Sequence, residues 1–372
     1  MTPGYDVACI GGGLVGAAVA YGLQREGARV ALLDQGDVAY RASRGNFGLV
    51  WVQSKGLGMP EYAAWTKRSS DSWAGLQAML REETGIDASF ERPGGLHICL
   101  SEAELQARVD QLKRLHNQRD MVQYDWQALD RKQTAALAPG LGPDVAGATF
   151  CPIDGHANPL KLLRALHTAI QRRGGDYLSE HAAQRIEKAG DVFRIATSGG
   201  TVEAAKVVLT AGVMNATLAA MVGLRAPVRP QRGQILVSER VKPFLNLPIS
   251  TIRQTNEGSV MFGDSLEETG FDDSQGAGVM ATLASRAHRI FPFLGQVRIV
   301  RAWAALRVMS LDGFPVYEQS ESHPGAYLAT CHSGVTLAAG HALHLAPMIA
   351  KGALAPSMSV FSARRFDVPA AA

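Results

Sequence analysis

The sequence predicts an α/β fold in which a parallel sheet flanked by helices is joined to a second, β-rich domain. Three observations predict it. A strand–turn–helix–strand pattern opens the chain, short alternating β-like segments occupy its middle, and a strand, a turn and a helix complete the pattern. A chain of 372 residues is also long enough for two domains.

The opening pattern begins with a strand and a glycine turn. Residues 7–10 form an apolar run, which is typical of a strand buried in a parallel sheet. Gly11, Gly13 and Gly16 follow with G-x-G-x-x-G spacing. The first glycine permits a tight turn, the second lets a pyrophosphate approach the backbone, and the third lets helix and strand pack closely. The helix begins near Leu14, so its free N–H groups would face the phosphates.

An acidic residue completes this Rossmann-like pattern. Residues 29–33 read as the second strand, and Asp34 stands at its end, 18 residues after Gly16. A carboxylate there can accept hydrogen bonds from ribose hydroxyls and would repel a 2′-phosphate. The pattern therefore predicts a bound adenine dinucleotide, rather than a glycine-rich turn without a ligand. A second match at Gly276 and Gly278 follows a polar run and is interpreted as a loop before a helix.

The later elements are predicted from periodicity. Helices are predicted over residues 71–83, 102–119, 160–173, 280–291 and 335–350, with Asn158 as the N-cap of the third. Strand-like segments are predicted at 94–100, 184–187, 192–196, 201–210, 233–264 and 327–330. This order predicts a dinucleotide-binding domain of residues 1–92, 150–226 and 323–372, and a β-rich α+β substrate domain inserted as residues 93–149 and 227–322.

Composition excludes several function classes. Hydrophobic residues make up 47% and charged residues 19%, as in a globular enzyme, and the formal net charge of +3 is too small to argue for nucleic-acid or membrane binding. Cys9, Cys99, Cys151 and Cys331 have no metal-ligand spacing, so no metal site is predicted. The first strand starts too early for a signal peptide, and the apolar runs are too short to span a bilayer, so a cytoplasmic protein is expected.

The motifs together resemble a known family. Along the chain these motifs are residues 11–16 with Asp34, ASRGNFGLVW (42–51), TAG (210–212), RGQ (232–234), WAALR (303–307), DGFP (312–315) and SG (333–334). Their order resembles that seen in the glycine/D-amino-acid/sarcosine oxidase (DAO) superfamily of FAD-dependent oxidoreductases. The segment SRGNFGLVWVQ (43–53) is similar to catalytic subunits of multi-subunit bacterial enzymes of the hydrogen cyanide synthase, opine oxidase and D-hydroxyproline dehydrogenase type.

The resemblance implies a noncovalent FAD, because the position of the flavin-attaching cysteine of sarcosine oxidases falls near Trp303. Ser43 and Arg44 would contact the diphosphate, residues 45–49 would run beside the flavin, and residues 333–336 would place a helix start at its pyrimidine end. The implied cofactor-binding residues are Gly11, Gly13, Leu14, Val15, Gly16, Asp34, Gln35, Ser43, Arg44, Gly45, Asn46, Gly48, Leu49, Ala183, Thr210, Ala211, Gly212, Arg307, Ser333, Gly334, Val335 and Thr336.

The resemblance also implies where the substrate binds. Arg307 would hold the substrate carboxylate, and a salt bridge to Asp312 is the structural alternative. His97 is a candidate substrate-binding residue and His332 a candidate catalytic residue, although lone histidines are more often structural. Where related glycine oxidases have an aromatic hydroxyl, this chain has residues 250–253, so their substrate cannot be transferred to it.

The implied reaction is dehydrogenation of the C–N bond of an amino acid or secondary-amine amino acid. Opines, D-hydroxyproline, sarcosine and glycine are the substrate classes left open. Hydride would pass to flavin N5, and electrons would continue to partner subunits carrying a second flavin or an iron–sulfur chain, in a hetero-oligomer that is cytoplasmic or peripheral to the inner face of the membrane. Three alternatives remain: an oxygen-using oxidase, a non-catalytic FAD-binding scaffold subunit, and a nicotinamide-dependent dehydrogenase.

Overall fold

The computed structural model describes residues 4–36, 42–263 and 265–367. The strands are β1 (Tyr5–Ile10), β2 (Val30–Leu33), β3 (Leu49–Val50), β4 (Gly95–Cys99), β5 (Gln127–Asp130), β6 (Gly147–Cys151), β7 (Gly155–His156), β8 (Asp176–Leu178), β9 (Ala183–Ala189), β10 (Val192–Thr197), β11 (Gly200–Leu209), β12 (Val228–Arg240), β13 (Ile252–Gln254), β14 (Ser259–Phe262), β15 (Ile299–Ser310), β16 (Val316–Gln319) and β17 (Ala326–Thr330).

The helices fall into α-helices and 3₁₀ turns. The α-helices before the final helical segment are α1 (Leu14–Arg25), α2 (Pro60–Thr84), α3 (Glu102–His116), α4 (Arg131–Leu137), α5 (Pro159–Arg172), α6 (Asn215–Leu218) and α7 (Ala277–Ile290). Short 3₁₀ turns cover Gly212–Met214, Ala219–Val222, Pro292–Gln296, Pro356–Phe361 and Ala363–Phe366. The final helical segment runs from Ala338–Gly340 through a π-helical turn, His341–Leu345, to Ala346–Ala350.

The largest sheet is the Rossmann-like one. Its strand order is β16-β17-β11-β1-β2-β8, and the pairs β17–β11, β11–β1, β1–β2 and β2–β8 are parallel. β16 pairs antiparallel with β17, and the hairpin of β9 and β10 continues antiparallel from β11. The carboxyl ends of β1, β2, β11 and β17 therefore meet at one edge of the sheet, where ligands of open α/β sheets bind.

Two apolar layers cover this sheet. Val7 and Cys9 of β1 pack with α1, α5 and the final helical segment, whereas Ala8 and Ile10 pack on the opposite side with β10 and residues 218–224. Alternation along a strand sends successive side chains to opposite faces, so a strand covered on both faces must be apolar throughout. That is why residues 7–10 form an unbroken apolar run.

Three antiparallel sheets complete the fold. The largest has the strand order β13-β14-β12-β15, the second has the order β4-β6-β5, and the third is the pair β3–β7. β12 and β15 are long strands that pair from Val228↔Ser310 to Ser238↔Ile299. The first two sheets share an apolar core with α7, which includes Leu96, Phe262 and Phe291.

Most predicted elements are confirmed, with shifts at their ends. The predicted start of the 71–83 helix is wrong, because α2 already begins at Pro60. The final helix begins at Ala338 rather than at residue 335. The prediction for Gly276 is confirmed, since it caps α7 from a preceding loop. Asp264, the last residue of the predicted 233–264 segment, lies outside the described residues.

The sequence prediction missed β15 as a strand, although it contains the WAALR motif. Its neighbour in the sheet is β12, about seventy residues earlier in the chain, so its pairing is a tertiary property. The predicted domain boundaries stay a prediction. Within the described part of the chain, no helix combines the length and apolar character that crossing a bilayer requires.

Candidate active site

The glycine turn after β1 is closely packed. Gly11 has φ +115°, a conformation that side chains with a Cβ rarely adopt, and its N–H donates to the Leu33 carbonyl at 2.8 Å. A Cβ on Gly13 would lie 2.7 Å from Ser43 Oγ. The Leu14 N–H donates to the same hydroxyl at 2.8 Å. The turn therefore presents bare backbone to the space in front of it.

Asp34 lies directly after β2 and is oriented by backbone donors. Its Oδ2 accepts from the Gly12 N–H at 2.7 Å, and its Oδ1 accepts from the Gly36 N–H at 3.0 Å. A carboxylate has about four lone-pair sites through which it accepts hydrogen bonds. The carboxylate of Asp34 is thus fixed beside the glycine turn.

The segment 45–50 crosses from the Rossmann-like sheet to the antiparallel sheet. Trp303 Nε1 of β15 donates to the Gly45 carbonyl at 3.1 Å, and Arg253 Nε of β13 donates to the Phe47 carbonyl at 2.8 Å. Thr336 Oγ1 donates to the Leu49 carbonyl at 3.1 Å. Three separate elements therefore hold the backbone of this segment in place.

A large cavity opens at the carboxyl edge of the parallel sheet. Its described lining includes the ends of β1, β2, β11 and β17, residues 42–44 and Asn46, and further residues from α5 and β15. The predicted cofactor residues that line it are Gly11, Gly13, Leu14, Val15, Asp34, Gln35, Ser43, Arg44, Asn46, Ala183, Thr210, Ala211, Gly212 and Gly334, together with His332.

A smaller cavity adjoins the large one, and Ala42, Asn46 and His332 line both. The predicted residues that line the smaller cavity are Gly45, Asn46, Leu49, Arg307, His332, Ser333, Val335 and Thr336. Phe47, Trp51, Ile235 and Ser250 add apolar surface and one hydroxyl. The arrangement brings the predicted cofactor residues and the predicted substrate arginine to neighbouring spaces.

Arg307 reaches the smaller cavity from β15. Its guanidinium donates to the Ser265 carbonyl at 2.7 Å and lies against Gly233, where an added Cβ would be 2.3 Å from Nη1. Asp312 does not serve as its partner, because both oxygens of Asp312 bind the Arg365 guanidinium, at 2.7 and 3.0 Å. The alternative of a salt bridge between Arg307 and Asp312 is therefore wrong.

His332 is held between two polar neighbours. Its Nε2 lies 3.2 Å from Lys55 Nζ and 3.0 Å from Ser333 Oγ. Burial, followed by the positive charges of Lys55 and Arg307, lowers the pKa of His332 well below its usual value. The ring is therefore neutral near pH 7 and accepts from the Lys55 ammonium.

Three predicted residues line neither cavity. His97 points away from the Leu96 and Ile98 side of β4, and burial with the charges of Arg108 and Arg286 lowers its pKa to about 3. Its predicted contact with substrate is not supported. Gly16 is covered by the Gly11 carbonyl, and Gly48, at φ +94°, by Ala157 and Arg253. These two glycines permit close packing instead of lining the ligand space.

Sequence reasoning missed several residues that line these cavities. Lys55 lies two residues beyond the quoted 43–53 segment, and that proximity was the available signal. Gly233 stands in the RGQ motif, but its need for space becomes visible only once Arg307 is placed. His167 of α5, 2.8 Å from the Gly12 carbonyl, and Thr330 at the end of β17 also line the large cavity. Nothing in their local sequence marks them.

Comparison with known proteins gives the family. A family model described as FAD dependent oxidoreductase (DAO) matches residues 6–348. The chain belongs to the DAO family of FAD-dependent oxidoreductases. An opine oxidase subunit of Rhizobium meliloti is 46% identical over 362 residues, covering 97% of this chain and 98% of the relative. Glycine oxidase of Geobacillus kaustophilus is 28% identical, covering 98% of each chain.

Solved structures of DAO-type enzymes share the fold. The glycine oxidase structure from Geobacillus kaustophilus superimposes with a TM-score of 0.88 at 26% identity, covering 96% of this chain and 98% of the other. Glycine oxidase from Bacillus cereus gives a TM-score of 0.85 at 25% identity, covering 95% and 97%. The protein is an FAD-dependent enzyme of this family, with a parallel Rossmann-like sheet and separate antiparallel sheets.

The large cavity has the groups that FAD requires. Gly11 and Gly13 line this cavity, and a Cβ on either would collide with the Thr210 carbonyl oxygen (2.5 Å) or with Ser43 Oγ (2.7 Å), so the turn offers backbone alone to an approaching pyrophosphate. Asp34 presents its carboxylate to the same space. Thr330 Oγ1 is buried with no hydrogen-bond partner among the described residues, and its residue lines this cavity. A ligand polar group would satisfy a hydroxyl that is otherwise expensive to bury.

Proposed function

We propose that this protein is the catalytic subunit of an FAD-dependent dehydrogenase that oxidises the C–N bond of a secondary-amine amino acid of the opine class. The observation that carries the proposal is the position of Arg307, which lines the small cavity adjoining the predicted FAD cavity. The 46% identity to a protein named as a subunit of opine oxidase favours this substrate class over glycine.

The FAD contacts are proposed as follows. The residues 11–15 would receive the pyrophosphate, with Ser43 and Arg44 on its other side, and Asp34 would bind the ribose hydroxyls. The segment 45–49 would lie beside the flavin. Attachment would be noncovalent, because Trp303 stands near the position of the attaching cysteine. Cys331 lines the large cavity, but burial raises the pKa of its thiol to about 12, so it stays an unreactive thiol.

Arg307 would bind and orient the substrate carboxylate. A guanidinium suits this role because its planar donors match two carboxylate oxygens and its charge survives partial burial. Its contact with the Ser265 carbonyl fixes the plane of the fork. With the carboxylate held, the α-carbon would face the large cavity through the space shared by Ala42, Asn46 and His332.

The reaction removes two electrons and two hydrogens from the substrate. A C–H bond and an N–H bond break and a C=N bond forms, after which water adds to the imine carbon and releases a 2-oxo acid and a primary amine. Bound FAD would supply the acceptor, at flavin N5, for the hydride. The amine must be neutral when the hydride leaves, and the N–H proton passes to water.

His332 would assist as a neutral acceptor. Because its pKa is lowered well below the usual value, it cannot act as an imidazolium acid near pH 7. Its place beside Lys55 and Ser333 suits positioning of these side chains. The N–H groups of residues 333–336, at the start of the final helical segment, would face the pyrimidine end of the flavin and stabilise negative charge there.

Electrons would leave through partner subunits. Two relatives that cover nearly the whole chain are named as subunits of larger enzymes. One belongs to opine oxidase, and the other is hydrogen cyanide synthase subunit HcnC of Pseudomonas aeruginosa, at 26% identity. The names support a hetero-oligomer, and we propose that its other chains carry further redox centres. A scaffold subunit without catalysis would not need an arginine in the small cavity.

A second candidate, an oxygen-using oxidase, is favoured by the likeness to glycine oxidases at 28% identity. Stopped-flow reoxidation of the reduced protein in air distinguishes the two. Reoxidation much slower than turnover with an artificial acceptor supports the dehydrogenase. Reoxidation as fast as turnover, with stoichiometric peroxide, would replace it with the oxidase.

The test of the proposal is the flavin absorbance of the purified protein under anaerobic conditions, with octopine, nopaline, D-hydroxyproline, sarcosine and glycine. We expect opines to bleach the spectrum. Arg307→Met should lower the bleaching rate constant at least about 100-fold, since a charged, bidentate contact is lost. Arg301→Met, an exposed arginine on the same strand, is the matched control. Bleaching by none of the compounds would contradict the proposed reaction.

A further inference from the structure

The small cavity contains a second cation, Lys55, that arrives from a different part of the fold. Lys55 lies on the turn after β3, whereas Arg307 lies on β15 of the four-stranded antiparallel sheet. Both residues line this cavity. The positive charges of both residues also contribute to lowering the pKa of His332, which lines the same cavity. The cavity therefore has two cationic side chains that are held by two separate parts of the fold.

The turn that carries Lys55 is rigidly built. Gln53 has no exposed surface, and its side-chain amide donates to Asp154 Oδ2 at 2.7 Å. Ser54 has φ 83°, the left-handed region that a residue with a side chain seldom occupies. The Lys55 N–H donates back to the Val52 carbonyl at 3.1 Å. Unfavourable backbone geometry of this kind persists where surrounding contacts enforce it, and it concentrates at ligand sites.

The ammonium itself is also held in place. Lys55 Nζ donates to Ser333 Oγ at 3.2 Å and lies 3.2 Å from His332 Nε2, which accepts because the ring is neutral. Ser333 Oγ is in turn 3.0 Å from the buried Tyr62 hydroxyl. A lysine that only covered surface would not need two fixed acceptors. The network keeps a positive charge directed at the cavity, as a point charge suited to an anion.

We propose that Lys55 binds a second carboxylate of the substrate, so that the preferred substrates are secondary amines with a carboxyl-bearing carbon on each side of the nitrogen. This inference rests on the proposed function. Arg307 would bind the carboxylate next to the carbon being oxidised, and Lys55 the carboxylate on the other side of the nitrogen. Lys55 is thus a specificity-determining residue, and substrates with a single carboxylate use only half of the site.

The experiment compares two substrates that differ in one group. N-(1-carboxyethyl)alanine has carboxylates on both sides of its nitrogen, and N-isopropylalanine replaces one of them by methyl. Wild-type kcat/KM should favour the first by about 10- to 100-fold, the range that a hydrogen bond between charged groups provides. Lys55→Met should remove this preference, because it should lower the value for the dicarboxylate by that factor more than the value for the monocarboxylate. Lys55→Arg should keep most of it.

Two controls make the result specific. Lys67→Met removes a lysine of α2 that pairs with Asp71 at 2.7 Å outside both cavities, and it should leave both substrates unchanged. Binding of thiodiacetate, a dicarboxylate thioether without an amine, is read from the shift of the flavin spectrum and needs no turnover. The control ligand is (methylthio)acetate, a thioether with one carboxylate. Lys55→Met and Lys55→Gln should each weaken the binding of thiodiacetate more than the binding of (methylthio)acetate. The Gln variant serves if the Met variant fails to fold.

The outcomes separate this inference from the proposed function. No substrate preference in the wild-type protein would overturn the role of Lys55, even if both compounds bleach the flavin. Equal losses for both substrates in Lys55→Met and Lys55→Gln would overturn it too, since a structural defect has that result. If no amine bleaches the flavin but thiodiacetate binding still depends on Lys55, the proposed reaction fails and the dicarboxylate site stands.

Discussion

A Cβ atom on Gly16 would lie 1.9 Å from the carbonyl oxygen of Gly11. A change of side-chain rotamer cannot relieve this contact, because it joins the added Cβ atom to a backbone oxygen, and neither atom moves when a side chain rotates. We predict that Gly16→Ala separates α1 from β1 and lowers the free energy of unfolding by about 1–3 kcal/mol, the range for overpacking a well-filled site. Urea unfolding followed by circular dichroism measures the change.

The chain contains a matched control for this substitution. Gly278 stands in the second G-x-G match, within α7, and a Cβ there would meet nothing within 4 Å. Gly278→Ala should raise the free energy of unfolding by about 0.5–1 kcal/mol, because alanine is the better helix former. Equal effects at the two positions would contradict the packing argument for Gly16.

The carboxylate of Asp34 is predicted to carry much of the affinity for FAD. Asp34→Asn keeps the side-chain shape but removes the charge and half of the acceptor capacity. Loss of hydrogen bonds to a charged group, at about 1.5–3 kcal/mol, should weaken FAD binding roughly 10- to 100-fold. Flavin fluorescence titration of the apoprotein measures this. Asp176→Asn, whose carboxylate accepts from the Tyr5 hydroxyl away from the cavities, should leave the affinity unchanged.

Thr336 is predicted to hold the 45–50 segment against the final helical segment. Its hydroxyl accepts from the Trp51 N–H and donates to the Leu49 carbonyl, each at 3.1 Å, and the residue is 4% exposed. Thr336→Val should lower the free energy of unfolding by about 1–3 kcal/mol by leaving buried backbone groups without partners. Thermal unfolding tests this. Thr282→Val, on an exposed part of α7, should change little.

Two neutral histidines, the partly buried His97 and the fully buried His341, should make the protein sensitive to mild acid. Burial lowers the pKa of His97 to about 3 and that of His341 to about 3, whereas an unfolded histidine titrates near 6.5. Between these values the unfolded chain binds the proton and the folded chain does not. Their contribution to stability is therefore complete above pH 6.5 and is lost as the pH falls toward 3, by at most about 1.4 kcal/mol per pH unit for each histidine.

His97→Gln is the variant that isolates one such contribution. We expect its free energy of unfolding to fall less steeply than that of the wild-type protein between pH 6.5 and pH 4.5, and chemical unfolding at each pH measures the slope. An unchanged slope would mean that His97 is protonated in the folded protein. The same variant should keep kcat/KM, because His97 lines neither cavity.

The sequence alone was sufficient to predict an element wherever the residues that cause it lie within that element or next to it in the chain. The apolar run of β1, the Gly11 turn and Asp34 lie within thirty residues, and their chemistry predicted a dinucleotide site; Gly11 and Asp34 both line the large cavity. The N-cap of α5 was likewise readable, because Asn158 Oδ1 accepts from N–H groups only two and three residues away. Such signals depend on neighbours along the chain.

The sequence by itself determined the Rossmann-like unit, the family and the cofactor, because their motifs are local and occur in a fixed order. Only the tertiary structure decided that Lys55 and Arg307 line the same cavity and that Asp312 forms its ion pair with Arg365. It also placed His97 outside that cavity. Lys55 and Arg307 are about 250 residues apart in sequence. Their meeting depends on how β15 pairs with β12 and how the 45–50 segment crosses between sheets, and no local pattern encodes that geometry.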